Sequence, residues 1–247
     1  MRVNSLASRE EVYNSSIINW DSEYYTPIQN SIIMNLIEKR INDTALKVKD
    51  TEFRVSRDSN GLIRGVIGSY NLITNDNDYG QKIMFRNSYD KSMSFAIVQG
   101  IQVFICSNGC ISGDYQYKRK HKGIEDGEST TTMRDILNAI EYSFNNLQLS
   151  YNKIRNELNA LKEISAKKDM VKDILGELFL IRNTLTVTQM SIIKKELFFS
   201  KNFKHINDND FSAYDLYNHI TEALKISHPI NYINDHITVH SLFQNFL

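Results

Sequence analysis

Cysteine, proline and tryptophan are scarce in this chain of 247 residues, at two, two and one, and no net charge remains from 29 basic and 29 acidic residues. Two cysteines four positions apart, Cys106 and Cys110, cannot staple a fold of this length. A 41% hydrophobic content is enough to bury a core without them. Zinc takes about four ligands. A single C-x-x-x-C with His121 as its nearest histidine does not assemble that set. A disulfide between the pair is not expected in a reducing cytosol. Zero net charge excludes a global field that would draw the protein onto nucleic acid or membrane, so any such attraction must come from a local patch. No apolar run approaches the roughly 18 residues of a membrane span. The first residues, Met1 to Glu11, lack the apolar core of a signal peptide. The expectation is a cytoplasmic protein with no membrane partner, no metal and no cofactor.

What is present divides the chain by periodicity. A polar leader covers 1–25. Thr26-Pro27 then opens a helix with proline near its first position, and Ile28, Ile32, Ile33, Leu36, Ile37 and Ile41 give it one apolar face. Leu46, Val48, Phe53 and Val55 alternate with polar residues, Asp58 to Gly61 reads as a hairpin turn, and Leu62 to Tyr70 returns as a second strand. Further strands are expected over Lys82 to Asn87, Met93 to Val98 and Ile101 to Cys106, with Gly100 breaking the last pair. Beyond Gly127 the period becomes helical, with Ser129 or Thr130 as N-cap. Ile140, Phe144, Leu147, Tyr151, Ile154, Leu158 and Leu161 then step by four and three as a heptad seam. The seam over 136–161 suits either a helix packed on its own domain or a contact between copies in a homo-oligomer. Helices are also expected over Lys168 to Leu180, Thr188 to Phe199 and Ser212 to Ile226, the last ended by Pro229. The fold class is α+β: a helix on a mainly antiparallel sheet over 26–127, and a helical region over 128–247.

Polar, basic and aromatic side chains converge between Asn87 and Lys122. From Lys82 to Lys122 seven basic residues face two acidic ones, leaving the remainder of the chain at −5. Asn87-Ser88-Tyr89-Asp90-Lys91-Ser92 resembles the Asn-Ser-His-Asp-Gly-Ser of the phage/plasmid-like proteins of unknown function. Val103 to Asn108 resembles their Val-Arg-Val-Val-Cys-x-Asn strand, and Cys106 and Asn108 fall on its Cys and Asn. Lys120-His121-Lys122 is a loose match to a following Arg-His-Thr element, and Tyr214 to Asn218 is similar to a Trp-Asp-Leu-Tyr-Asn helix. The likeness spans roughly 26–226. It implies a phage or plasmid context and no known chemistry. Tyr89 stands where the family has His, and Lys91 where it has Gly.

Three functions remain in view. In an enzyme, read as an uncharacterised hydrolase, Asp90, Ser92, Cys106 and His121 would supply base, orienter and nucleophile. Against that, Cys106 ends an apolar strand as a small hydrophobe would, and Asp90 suits a turn. No phosphate-binding loop, dinucleotide fingerprint, zincin motif or nucleophile elbow is present. His205, His219, His228, His236 and His240 are scattered. Only the last two share helical spacing, and the intervening Ile-Thr-Val disfavours a helix there. In a nucleic-acid-binding protein, Arg86, Lys91, Lys118, Arg119, Lys120 and Lys122, with His121 in the same loop, would hold phosphates of a single strand while Tyr89, Tyr115 and Tyr117 stack on its bases. Glu125, Asp126 and Glu128 offer local neutralisation. The order of helix, antiparallel sheet and helix is also that of phage single-strand annealing proteins, a fold-level analogy. In a structural or interaction module, the seam and the Phe/Tyr-rich C-terminus would be contact surfaces. The expectation is a non-enzymatic protein that binds single-stranded nucleic acid.

Overall fold

The computed structural model describes residues 3–17, 27–105, 108–119 and 130–247, with side chains throughout these except at 3–4, 112–119 and 130–132. The fold is α+β. Six strands form one curled antiparallel sheet in chain order: β1 (Val3–Ala7), β2 (Val48–Arg57), β3 (Ile63–Leu72), β4 (Tyr79–Ser88), β5 (Phe95–Val103) and β6 (Asn108–Arg119). Two helices, α1 (Arg9–Tyr13) and α2 (Asn30–Asp43), fall between β1 and β2. Past the sheet come α3 (Thr130–Lys162), α4 (Lys168–Gly176) with a π-helical turn over Glu177–Ile181, α5 (Val187–Phe199), α6 (Ala213–Leu224) and α7 (Pro229–Gln244).

Alternation along the strands assigns the two faces. On one, Phe53, Val55, Tyr70, Ile83, Phe85 and Ile97 bury against α2 and the first half of α3. On the other, Ile67, Met84, Val98 and Ile111 meet Tyr232 and Ile233 of α7. The second half of α3, from Tyr151 to Leu161, joins Ile101, Val103 and Cys110 to α4–α7 in the largest apolar cluster. The helices of 130–247 therefore share a core with the sheet.

Several elements differ from what the sequence pattern predicts. The polar leader holds β1, which pairs with β2 from Val3 opposite Arg57 to Ala7 opposite Phe53, and α1, capped by the Ser8 side chain. The first long helix starts at Asn30, with Gln29 as N-cap, so Pro27 precedes it rather than opening it. Gly100 does not end a strand. β5 runs through it, and the register with β6 slips between Val98 and Gly100, a bulge for which glycine is required because a Cβ there would collide with the Cys110 carbonyl. Segment 115–119 is strand β6 rather than loop.

The heptad seam is real but turned inward. Ile136, Ile140, Phe144, Leu147, Tyr151, Ile154, Leu158 and Leu161 are all buried within the chain. Each contributes roughly 1.5–3 kcal/mol through burial, and none is offered to a second copy. Pro229 begins α7 at its first turn, with His228 as N-cap accepting from the Ile230 amide, instead of terminating α6. Among the described residues no helix is long and apolar enough to cross a membrane.

Candidate functional site

The signature segment at the end of β4 is an internal tie. Asn87 donates through Nδ2 to the Ile28 carbonyl at 2.8 Å and to Asn30 Oδ1 at 2.9 Å. The Asn30 amide, at the otherwise uncapped start of α2, donates to the Tyr89 hydroxyl at 2.9 Å. The Tyr89 ring is fully buried, so it is not presented to a base. Ser88 Oγ donates to the Met93 carbonyl and accepts from the Met93 amide. Asp90 accepts from the Ser92 amide at 3.0 Å, as a turn-former does. Lys91 is exposed and sits at φ +63°, in the left-handed region, which gives a physical reason for glycine at this place in the resembling family. Arg86 is 6% exposed, and its guanidinium donates to the Ser94 carbonyl and Oγ at 3.2 Å, so it does not reach a phosphate from this position. Burial lowers its pKa.

Of the remaining predicted residues, Tyr115, Tyr117, Lys118 and Arg119 lie on β6. Tyr117 is opposite Ile97, Lys118 opposite Ala96 and Arg119 opposite Phe95. Cys106, Lys120, His121 and Lys122 lie outside the described residues, as do Glu125, Asp126 and Glu128. Asn108 is buried and donates through Nδ2 to the Asn218 carbonyl at 2.9 Å. That bond joins the strand motif to the Tyr214–Asn218 helix motif.

Where those two motifs meet, chemistry-bearing groups converge that the sequence reading left apart. Cys110 on β6 is a free, fully buried thiol, and its Sγ lies 3.3 Å from His240 Nδ1 on α7. His240 Nε2 is 2.9 Å from Glu157 Oε2 on α3, and Gln244 donates to the other carboxylate oxygen at 3.0 Å. Burial alone would push His240 down, but Cys110 and Glu157 overcome it and raise it to about 10. Glu157 is lowered: its burial is outweighed by the bonds from His240 and Gln244. Tyr217 stands edge-on to the His240 ring at 6.0 Å between centroids. Its buried hydroxyl lies against Cys110 with no hydrogen bond of normal geometry, and burial, then the thiol, raise its pKa.

One turn earlier on α7, His236 faces the opposite environment. Neither ring nitrogen has a hydrogen-bond partner of normal geometry, the Gly109 backbone offering a weak favourable contact. Burial first, then Lys82 and Arg54, push His236 down to about 3. Lys82 on β4 is itself buried, and desolvation lowers its pKa against the attraction of Glu52 and Asp50. The local signal for this centre was the i, i+4 spacing of His236 and His240. Among the described residues no group of three or more His, Cys, Asp or Glu is arranged to hold a metal ion.

The model for the family described as Domain of unknown function (DUF932) matches residues 18–236 and runs through both the sheet and the helices, so the chain belongs to that family. No curated protein and no solved structure matches the chain.

Proposed function

We propose that the protein binds single-stranded nucleic acid at the β6 edge of its sheet, as a phage- or plasmid-encoded, annealing-type accessory factor of the host cytoplasm without catalytic turnover. The observation that carries the reading is the strand register. Lys118 is opposite Ala96 and Arg119 opposite Phe95 at the start of β5, with Lys91 in the turn that joins β4 to β5. The topology thus gathers the basic residues of the signature segment at one end of the sheet, on an edge strand that also carries Tyr115 and Tyr117 and leads toward Lys120 and Lys122. Cations along such an edge neutralise phosphates while neighbouring aromatics stack on bases. The order of helix, antiparallel sheet and a 33-residue helix supports an annealing role by analogy.

Because Arg86 and Tyr89 are committed internally, binding rests on Lys91, Lys118, Arg119, Lys120 and Lys122 with Tyr115 and Tyr117. Replacing Lys118, Arg119, Lys120 and Lys122 together by Ala is expected to weaken binding of a labelled 30-mer and to flatten its salt dependence. With about 0.7 of slope per phosphate contact on a single strand, the plot of log K against log salt should lose up to about three units. Fluorescence anisotropy at several salt concentrations reads this directly. Absence of binding by the unmodified protein at low salt would reject the proposal and favour an interaction module.

A further inference from the structure

We propose that Cys110 is a peroxide-reactive cysteine, with His240 as the proton donor to the departing oxygen and Glu157 as the positioning residue that aims the imidazole at sulfur. Three separate elements build the arrangement, β6, α7 and α3. Glu157 and Cys110 hold the two ring nitrogens at 2.9 Å and 3.3 Å, so the ring has one orientation and Nδ1 faces the thiol. Gln244 occupies the second oxygen of Glu157 at 3.0 Å, which fixes the carboxylate in turn. This is the order nucleophile, base, orienter that activates a thiol. Against the sulfur, Tyr217 adds a buried hydroxyl.

The burial of Cys110 selects the substrate class. Its relative exposure is 0%, so a peptide or acyl donor has no approach, whereas hydrogen peroxide needs only a local opening at an edge strand. In the step, sulfur attacks one peroxide oxygen, forming the S–O bond and breaking O–O. Two electrons pass from sulfur to the peroxide. The one proton shared between Cys110 Sγ and His240 Nδ1, held on the protonated imidazole, passes to the departing hydroxide and leaves the ring neutral. The products are Cys110 sulfenic acid and one water. Tyr217 is placed to donate to the departing oxygen.

The test uses the full chain with Cys106→Ser, so that Cys110 is the only thiol. Hydrogen peroxide is added in slight excess, dimedone traps sulfenic acid, and mass spectrometry follows the adduct with time. The folded protein is expected to form the Cys110 adduct on the order of tenfold or more faster than the same protein unfolded in guanidinium, since positioned proton transfer contributes at least that much. Glu157→Gln, which keeps a hydrogen-bonding group but removes the charge, should slow the folded protein several-fold with its near-ultraviolet circular dichroism unchanged. No adduct at Cys110, or a folded protein that reacts no faster than the unfolded one, would overturn the proposal. So would a Glu157→Gln variant as fast as its parent.

Discussion

His236 and His240 occupy the same face of α7, one turn apart, each 1% exposed, and they are driven in opposite directions. Desolvation is the largest influence on both, and it acts the same way on both, disfavouring the charged ring. What separates them is the partner. His236 looks toward Lys82 and Arg54 and is held neutral, down to about 3. His240 looks toward Glu157 and Cys110 and is held charged, up to about 10. Burial sets how strongly a neighbour is felt, and the sign of the neighbour decides the protonation state. A helix laid along the edge strand of a sheet therefore carries two histidines with different chemistry. One is inert to acid until well below neutrality, and the other is a lasting cation beside the Cys110 sulfur.

The largest way to break this contrast is His240→Ala. It would leave the partly buried Glu157 carboxylate beside Gln244 and Lys153 and would take the imidazole away from Cys110. Removing one member of a buried pair is expected to cost about 3 kcal/mol in chemical denaturation, whereas an unchanged unfolding midpoint would show that the pair contributes little.

Next in size is the pH profile of stability. A raised histidine contributes fully below its unfolded value of 6.5, and that contribution is lost as pH rises toward about 10. A lowered one contributes fully above 6.5, and that contribution is lost as pH falls toward about 3. Stability should therefore peak near neutrality. His236→Phe should flatten the slope between pH 6.5 and the carboxylate range, below which Glu157 adds its own acid loss. His240→Ala should flatten the alkaline side. A profile that the two variants leave unaltered would mean that the rings do not differ as described.

The smallest expected effect comes from Lys82→Met. Taking a buried cation away from His236 should raise stability by up to about 1 kcal/mol and should move the His236 pKa back toward the ordinary range. A loss of stability instead would show that Glu52 and Asp50 already compensate Lys82.

Much of the sheet was legible because its strands alternate and its turns are marked. The heptad seam was legible as a buried stripe, but periodicity does not say whether the surface that covers it belongs to the same chain. Here the sheet covers it, through Ile101, Val103 and Cys110 among others. The N-terminal strand was hidden because five residues on an edge carry little pattern, and Leu6 remains 68% exposed even when paired. At α7 local propensity misled. The β-branched Ile237, Thr238 and Val239 disfavour helix in isolation, yet Val239 is fully buried and tertiary packing overrides the preference.

The candidate site was the least legible part. Tyr89, expected to stack on a base, and Asn87 instead serve as buried ties between β4 and the start of α2, while Ser88 closes the turn onto Met93. Cys110, Glu157 and His240 are brought together from 47 and 83 positions apart, and apart from the i, i+4 spacing of His236 and His240 nothing local announces such a meeting.

The most direct test of the account is a titration of both imidazole rings by nitrogen-15 NMR between pH 5 and 9. His240 is expected to keep the shifts of a doubly protonated ring and His236 those of a neutral one across that interval. Two histidines that titrate together near pH 6.5 would contradict it.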